Sequence, residues 1–527
     1  MAQFLTKRSP IGVGEFLRIA GIILFLALSF WHLDRFPEIH NDEVGIIEPG
    51  YNWFSTGVYG SRMYTGYFER ERIYLEIMPV MPLLQGFIAK WLGVGVLQMR
   101  LIPVIAGAII LLLTEKIGTD LTGNKKVGLL SAFLMMFWQV MPAVENPFLG
   151  SGIPLMDITR IARYDTVAAT FGLAAFWFWL KHRKTGKLQF AIFAGAAVGL
   201  AGLTHPFGLI WLIIFWGLQA FEFPKGGWKN AFGQKHFWVM NLAVGATCLP
   251  WGIVIVKNWP LFTKQFLQRH QARMGFLDMG FYWHNLSTEF QRFHLGVSEA
   301  DTFLRVGFWL FVLGIPVGMG WLVWGAFRRH DPSVQRLFVS IVLFSGILAL
   351  LDQEKRVYYL LVYFPLLAIL LAWGISRFKT RLVYGGLLLV FVQGAFGIGQ
   401  LHIEAAHRTS TDEFFTHLRE SVPPSGVIIG PQTFWLAFPD RDYRSIIAPT
   451  LIALSDPDLQ GAFIPSLEQL GPDILLVHPS WKTWLTNPDD PAQGEEAFWA
   501  FMDRHQAMLI TTLPDQFGFP VEIYALR

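Results

Sequence analysis

The 527-residue sequence contains one cysteine and few charged residues. Cys248 alone cannot form a disulfide within the chain, and a zinc site built on several cysteines is excluded. Charged residues make up 15% of the chain and hydrophobic residues 53%, which is too apolar for a soluble protein of this length. The formal net charge of +3 is too small to indicate a nucleic-acid partner. The composition is that of a protein that crosses a membrane many times.

Several sequence features that reveal function in other proteins are also absent. The sequence has no internal repeat, no low-complexity tract, no glycine-rich nucleotide loop of either standard form and no His-Glu-x-x-His metal motif. The first apolar stretch follows Lys7 and Arg8 but lacks a small-residue cleavage site, so we expect it to remain as the first span. The indications of function must therefore come from the polar residues between the apolar runs.

Apolar runs of about 20 residues predict membrane-spanning helices. Eleven such runs occur, at 14–33, 99–119, 127–145, 165–181, 188–204, 206–222, 237–257, 303–326, 334–351, 357–375 and 381–399. The apolar run at 79–92 is too short to span and is flanked by prolines, which favours an amphipathic helix on the membrane surface. With a cytoplasmic N-terminus, the basic loops TGNKK, KHRKTGK, FPKGGWKNAFGQK, RRHDPSVQR and SRFKTR then fall on one side, as the positive-inside rule requires.

The composition changes after residue 400, where helical runs shorten and charges and prolines increase. Strands are predicted at GVIIG (426–430), PDILLV (472–477), AMLITTL (507–513) and PVEIYAL (520–526), between helices near 410–420, 457–470 and 494–506. We therefore predict a transmembrane domain at 1–400 and a small soluble α/β domain at 401–527. An odd number of spans places the second domain outside the cytoplasm.

The predicted outer loops carry an unusual mixture of acidic and basic residues. They contain Asp42, Glu43, Asp157, Asp165, Asp278, Asp352 and Glu354, next to Arg62, Arg70, Arg163, His270, Arg273, Lys355 and Arg356. In HNDEVGIIEPGY (40–51), two adjacent carboxylates at a membrane edge are costly to dehydrate, and they indicate a functional site. Basic residues in outer loops run against the charge rule, and a lipid phosphate or pyrophosphate is the simplest ligand that explains them.

Each of these residues also has a structural interpretation. Asp42 and Glu43 could cap the helix that follows, and Asp165 could complement a helix dipole. Lys355 and Arg356 could be interfacial cations whose aliphatic stems lie along apolar surface. A catalytic interpretation is favoured for the acidic pair because a cap requires only one such residue.

Several short motifs follow one another along the chain in a specific order. They are Asp42-Glu43, Thr56-Gly57, Pro79 and Pro82, Arg100-Leu101-Ile102-Pro103, Ala162-Arg163-Tyr164-Asp165, Leu203-Thr204-His205-Pro206, Glu354-Lys355-Arg356-Val357-Tyr358-Tyr359-Leu360 with Pro365, and VPPSGVIIG…FWLAFPDRDYRS near the C-terminus. This order resembles that of the GT-C glycosyltransferases. The resemblance is closest to the bacterial family 39/83 group, which includes the lipid A aminoarabinose transferase and the protein mannosyltransferases.

The resemblance implies an α-helical polytopic membrane enzyme of the GT-C fold, with about eleven spans, juxtamembrane helices and the C-terminal domain. Such enzymes move a sugar from a polyprenyl-phosphate donor to a hydroxyl acceptor on a lipid, glycan or protein, usually with inversion. The active site and the C-terminal domain would lie on the extracytoplasmic side of the cell membrane. No cofactor is indicated with certainty, but some GT-C enzymes use a divalent cation between acidic residues, so metal content stays open.

The resemblance also implies roles for individual residues. Asp42 matches the catalytic acidic position and would be the general base. Glu43 would orient the acceptor or raise the pKa of the base by like charge, and Asp165 would orient the acceptor or a basic partner. The implied substrate-binding residues are Lys355 and Arg356 at the donor phosphate, with Arg163, Tyr358, Tyr359 and, one helical turn apart in the loop 258–302, His270 and Arg273.

Two features depart from the family pattern, namely Glu76 in the segment before Pro79 and Tyr164 in the second acidic motif. Both affect the expected shape of the acceptor pocket. A transporter or lipid flippase is the main alternative, and an inactive scaffolding relative is another. Carboxylates at one membrane face and the absence of an inverted repeat argue against a transporter, and the intact acidic and basic motifs argue against a scaffold.

Overall fold

The computed structural model describes residues 12–140, 150–222, 232–271, 275, 278–293, 310–378, 381–456, 458–459, 462–485 and 495–527. The helices are α1 Val13–Phe30, α2 Asn41–Thr56, α3 Val80–Leu92, α4 Val96–Thr122, α5 Lys125–Phe137, α6 Pro154–Thr159, α7 Asp165–Thr185, α8 Leu188–Thr204, α9 Ile210–Glu222, α10 Lys235–Lys257, α11 Trp259–Phe262, α12 Met279–Ser287, α13 Ile315–Trp324, α14 Pro332–Leu351, α15 Phe364–Ile375, α16 Arg381–Ala406, α17 Thr411–Ser421, α18 Ile447–Ser455, α19 Phe463–Gln469, α20 Pro479–Leu485 and α21 Glu495–Arg504. The strands are β1 Ile428–Gly430, β2 Tyr443–Ser445, β3 Ile474–Val477, β4 Met508–Pro514 and β5 Pro520–Ala525.

The apolar helices make the chain a multi-pass membrane protein. Among the described residues, five helical stretches are long and apolar enough to cross a membrane: α1, α4, α10, α14 and the stretch that begins at Val383. Each of the eleven predicted spans overlaps a helix. The predicted span residues 141–145 and 303–309, and most of the loop FPKGGWKNAFGQK, lie outside the described residues.

The short helix α3 crosses α2 with backbone against backbone. A Cβ atom added at Gly50 would lie 1.8 Å from the Pro82 carbonyl oxygen, and one at Gly86 would lie 2.1 Å from the Gly50 carbonyl carbon. Only glycine permits this approach. On its other side α3 exposes Phe87 and Trp91, which suits a helix lying in a membrane interface, as predicted for 79–92.

Small residues also set the packing of the main helix bundle. Gly195 and Gly199 of α8 face α10, where added Cβ atoms would lie 2.2 Å from the Met240 carbonyl oxygen and 2.6 Å from the Thr247 Cβ. Close approach at small residues is the usual way in which membrane helices associate. The bundle core lies mainly among α4, α5, α7, α9, α14 and α15.

The C-terminal part is a five-stranded mixed sheet with strand order β2-β1-β3-β5-β4. Strand β1 pairs in parallel with β2 and β3, and β5 pairs antiparallel with β3 and β4. Four of the five strands match the sequence prediction. Strand β2 was missed because Tyr443, Arg444 and Ser445 form no apolar run, and its edge position is stabilised by main-chain pairing with β1.

The α/β domain shares a core with the segment that follows α1. The Tyr51 hydroxyl donates to Asp440 Oδ1 at 2.7 Å, and Gln432 Nε2 donates to the Asn41 carbonyl at 2.7 Å. The Tyr64 hydroxyl donates to Gln432 Oε1 at 2.9 Å, and the surrounding apolar side chains belong to one cluster. Helix α16 runs past the predicted boundary at residue 400, and the domain division itself stays a prediction. The shared core places the α/β domain beside the N-terminus of α2.

Candidate active site

Helix α2 begins with a capping box in the sequence HNDE. His40 Nδ1 accepts the Asp42 N–H at 3.0 Å, and Glu43 Oε1 accepts the His40 N–H at 2.8 Å. These bonds satisfy donors that a helix start leaves unpaired. Burial lowers the pKa of His40, only partly offset by the Asp42 carboxylate, so the ring is the neutral acceptor that the cap requires. His40 and Glu43 therefore fix the first turn, on which Asp42 stands.

Glu43, next to Asp42, is fully buried. Arg100 donates to both of its oxygens, from Nε and Nη2, each at 2.9 Å. The Ala162 N–H also donates to Oε2 at 2.6 Å. A buried carboxylate with these partners has no surface for an acceptor. Glu43 joins α2, α4 and the segment before α7, and its expected role beside the base stays a prediction.

Arg163 lies between the other two predicted carboxylates. Its Nη1 pairs with Asp42 Oδ2, and its Nε donates to Asp165 Oδ2 at 3.0 Å. The guanidinium carbon lies 4.6 Å from the centre of the Tyr358 ring and 5.1 Å from that of Tyr164. Burial opposes the charge, but Tyr164 and the two carboxylates raise the pKa of Arg163 well above its usual value. Arg163 is thus a permanent cation that orients both carboxylates.

The two carboxylates differ in accessibility. The Asp165 side chain is 1% exposed, and its Oδ1 has no hydrogen-bond partner among the described residues. The Asp42 side chain is 46% exposed. Of the three carboxylates predicted for catalysis, Asp42 is the one that a substrate can reach. An accessible carboxylate held by a fixed arginine can accept a proton from a hydroxyl group.

Aromatic rings form one wall of this site. Tyr164 stacks on His205, with ring centres 4.4 Å apart, and Tyr359 lies 5.4 Å from the same imidazole. His205 also caps the turn after α8, since its Nδ1 accepts the Phe207 N–H at 3.2 Å. This stacking explains why a tyrosine stands at position 164, where the sequence departs from the family pattern. It also joins the ends of α7, α8 and the turn 357–362.

The two neighbouring cations 355 and 356 point in different directions. Lys355 Nζ lies 2.8 Å from Glu289 Oε2 and donates to the Ala349 carbonyl at 2.9 Å, and its side chain is 3% exposed. Arg356 is 51% exposed, and its Nε donates to Glu354 Oε2 at 2.7 Å. The ammonium group of Lys355 is buried and paired in this arrangement, and phosphate binding by Lys355 stays a prediction. Arg356, whose charge acts on that of Arg163, is the accessible cation of this pair.

The loop after α10 supplies a third group of residues. His270 packs on Phe266, with ring centres 4.8 Å apart, and is close enough to His205 to influence its charge. Arg273 lies outside the described residues. Arg269, which the sequence did not single out, lies 2.5 Å from Glu76 Oε1. The sequence signal that could have identified Arg269 is the unexpected Glu76, because an acidic residue near buried aromatic side chains needs a basic partner.

The other oxygen of Glu76 binds a buried arginine. Arg70 Nη2 lies 2.6 Å from Glu76 Oε2. The Arg70 guanidinium also lies between 4.4 and 5.5 Å from the ring centres of Tyr64, Tyr67 and Tyr74. Glu76 therefore ties the loop between α2 and α3 to the loop after α10.

A divalent cation does not fit the two site carboxylates in this arrangement. The guanidinium of Arg163 already pairs with both Asp42 and Asp165. Within the described part of the chain, no group of three His, Cys, Asp or Glu side chains is placed to hold a metal ion. The charge that a metal would supply between these carboxylates comes from the arginine.

No family model and no curated protein matches this sequence. The structure is similar to that of ArnT from Cupriavidus metallidurans bound to undecaprenyl phosphate, with a TM-score of 0.64 and 13% identity over 97% of this chain and 98% of that one. It is also similar to the apo oligosaccharyltransferase from Archaeoglobus fulgidus, with a TM-score of 0.58 and 12% identity over 89% of this chain and 71% of that one. These similarities confirm the GT-C fold that the order of motifs predicted.

Proposed function

We propose that this protein is a glycosyltransferase that moves a sugar from a polyprenyl-phosphate donor to a hydroxyl acceptor at the outer face of the cell membrane. The observation that carries the proposal is the accessible carboxylate of Asp42, held by the buried cation Arg163 where membrane helices of a GT-C fold end. A lipid-phosphate donor is consistent with the ArnT structure, which holds undecaprenyl phosphate. It also agrees with a complex of the archaeal oligosaccharyltransferase with dolichol phosphate.

In the proposed reaction, each of these residues has a separate role. The acceptor hydroxyl oxygen attacks the anomeric carbon while Asp42 takes its proton, and the bond from that carbon to the phosphate oxygen breaks. The polyprenyl phosphate leaves with the bonding electron pair, and Arg356 is the accessible cation that stabilises its charge. Arg163 orients Asp42, and Asp165 orients Arg163 from the other side. One displacement at the anomeric carbon gives inversion.

The proposal is tested by giving the purified protein in liposomes a panel of polyprenyl-phosphate sugars together with a membrane extract as the acceptor source. A glycosyltransferase releases polyprenyl phosphate and increases the mass of an acceptor by one sugar, both of which mass spectrometry detects. A flippase would move the intact donor lipid between leaflets without cleaving it. Transport of uncleaved donor, or no donor consumption with any sugar, would refute the proposed activity.

The side of the membrane is tested separately. In a Cys248→Ser background, we expect Thr416→Cys on α17 to react with a membrane-impermeant thiol reagent in intact cells. Thr185→Cys at the cytoplasmic end of α7 should react only after permeabilisation. Equal labelling of both from outside would overturn the orientation while leaving the chemistry at Asp42 untouched.

A further inference from the structure

A cavity lies beside Asp42, between the segment that precedes α2 and the α/β domain. Its volume is about 610 Å³, within the range of small-molecule sites. Glu38, His40 and Asn41 form one side, and residues from the α/β domain form the rest. His40 is shared with the active site, since its Nδ1 accepts the Asp42 N–H.

One part of the cavity lining is aromatic. Phe414, Phe415, Phe434, Trp481 and Phe517 all line it. The rings are held by each other, with the centres of Phe414 and Phe434 5.3 Å apart in an edge-to-face contact. Such rings offer flat apolar faces against which the C–H face of a sugar ring packs.

Another part of the lining is polar. Thr433, Thr450 and Ser480 contribute hydroxyl groups. His478 is fixed between Asp515 Oδ2, at 3.1 Å from Nε2, and Ser480 Oγ, at 2.6 Å from Nδ1. The Ser480 N–H also points to Nδ1 at 3.2 Å, so this contact is a turn at the start of α20. Hydroxyl, imidazole and carboxylate groups together can both donate and accept hydrogen bonds, as sugar hydroxyls require.

The charged residues that line the cavity are acidic, whereas a phosphate-binding site carries basic residues. None of the described residues that line it is a lysine or arginine, whereas Glu38 and Asp515 supply carboxylates. Burial raises the pKa of Glu38 and the Asp515 carboxylate acts in the same direction, whereas the charges of Arg408 and His478 lower it. A lipid phosphate would find no lysine or arginine among the described residues of this lining to pair with, whereas a neutral polyol needs none.

We propose that this cavity binds the carbohydrate part of the acceptor, as a neutral, polyhydroxylated sugar chain. The inference rests on the proposed transferase function and adds the chemical class of the acceptor. The aromatic wall would stack the sugar ring, and the polar groups would bind its hydroxyls. Because His40 is shared by the cavity and the catalytic turn, a sugar bound here would present a hydroxyl group towards Asp42.

The test uses the full-length protein in lipid nanodiscs, because sugar-headed detergents would compete. The probes are neutral hexoses, N-acetylhexosamines and pentoses with their di- and trisaccharides, and the readout is saturation-transfer NMR of ring protons. We expect signals from at least one of these sugars with the parent protein. Thr450→Trp, which fills the cavity, should abolish them. The matched Thr416→Trp, at an exposed threonine of α17 outside the cavity, should leave them unchanged.

Two results would overturn the inference: no ring-proton signal from any sugar of the panel, or signals that survive Thr450→Trp. A transfer assay separates this inference from the proposed function. If transfer occurs and Thr450→Trp raises the acceptor KM by about tenfold or more with donor KM unchanged, both stand. If transfer occurs and that variant leaves the acceptor KM unchanged, only the cavity assignment fails. If the cavity binds sugar but donor is never cleaved, the transferase function fails instead.

Discussion

Two arginine-centred ionic clusters lie where loops meet the ends of the apolar helices, and they differ in charge balance and in access. In the first, Arg163 sits between Asp42 and Asp165. In the second, Arg292 sits between Glu289 and Asp352, with bonds of 2.6 Å to each. Both arginines are buried, and both join segments distant in sequence. Sequence patterns alone would treat them alike.

The difference lies in charge balance and access. The Arg292 cluster contains a second cation, Lys355, which pairs with Glu289, so two positive charges face two negative ones. The Arg163 cluster has one cation for two carboxylates, and Asp42 is half-exposed. Removing one member of a balanced, buried cluster destabilises the fold, whereas an unbalanced cluster with an accessible oxygen can take up a proton or a ligand. Four experiments test this distinction, from the largest expected effect to the smallest.

Asp42→Asn should abolish transfer while leaving the fold intact. Asparagine keeps the size of the side chain but cannot accept a proton, and loss of a general base costs about 10²–10⁴-fold in rate. The control is Asp442→Asn, since Asp442 is also 46% exposed and paired with an arginine, Arg444. We expect initial rates of transfer to fall only for the first variant, with equal melting temperatures. Near-normal transfer by Asp42→Asn would leave Asp165 as the better base.

Arg292→Gln should mainly destabilise the protein. Removing one partner of a buried ionic cluster leaves uncompensated charges and costs about 3–5 kcal/mol. We expect a lower melting temperature and poor recovery in detergent, with donor KM unchanged in the protein that folds. An Arg292→Gln protein that melts like the parent but no longer binds donor would reverse the comparison, because the second cluster would then be a ligand site.

Arg356→Gln and Lys355→Gln should have opposite signatures. Losing a charge-assisted hydrogen bond to phosphate costs about 1.5–3 kcal/mol, so Arg356→Gln should raise donor KM by about tenfold or more. Lys355→Gln should lower the melting temperature and leave donor KM unchanged, because its ammonium group is paired with Glu289. The donor KM of both variants is measured by titrating the donor in the transfer assay. A rise in donor KM for Lys355→Gln alone would restore the role that the sequence suggested.

His40 should make stability depend weakly on pH. Its pKa is lowered in the folded protein, so the unfolded chain binds the proton first as pH falls through the ordinary value of 6.5. The cap is therefore fully effective above pH 6.5 and is lost on acidification, at a cost of about 1 kcal/mol. His40→Asn keeps a capping acceptor that does not titrate. Between pH 8 and pH 5, the melting temperature of the parent should fall more steeply than that of His40→Asn. Equal falls in melting temperature for the two proteins would contradict this role.

Neighbouring charged residues of the site could not be distinguished from the sequence. The membrane-edge argument applies equally to Asp42 and Glu43, which are neighbours in sequence. Consecutive residues in a first helical turn point in different directions, and only the placement of Arg100 shows which carboxylate is buried. The same holds for Lys355 and Arg356, which the sequence treats as one basic pair and the fold separates.

The amino-acid sequence alone determined that this chain is a polytopic membrane protein with a C-terminal α/β part, because apolar run length and strand patterning are local properties. The order of short motifs also indicated the GT-C fold. Tertiary structure alone decided which charged groups are paired, that the α/β domain and the segment that follows α1 share a core, and that a cavity lies beside Asp42. The physical reason is that burial and ion pairing depend on contacts between residues far apart in the chain. Those contacts leave no periodic signal in the sequence.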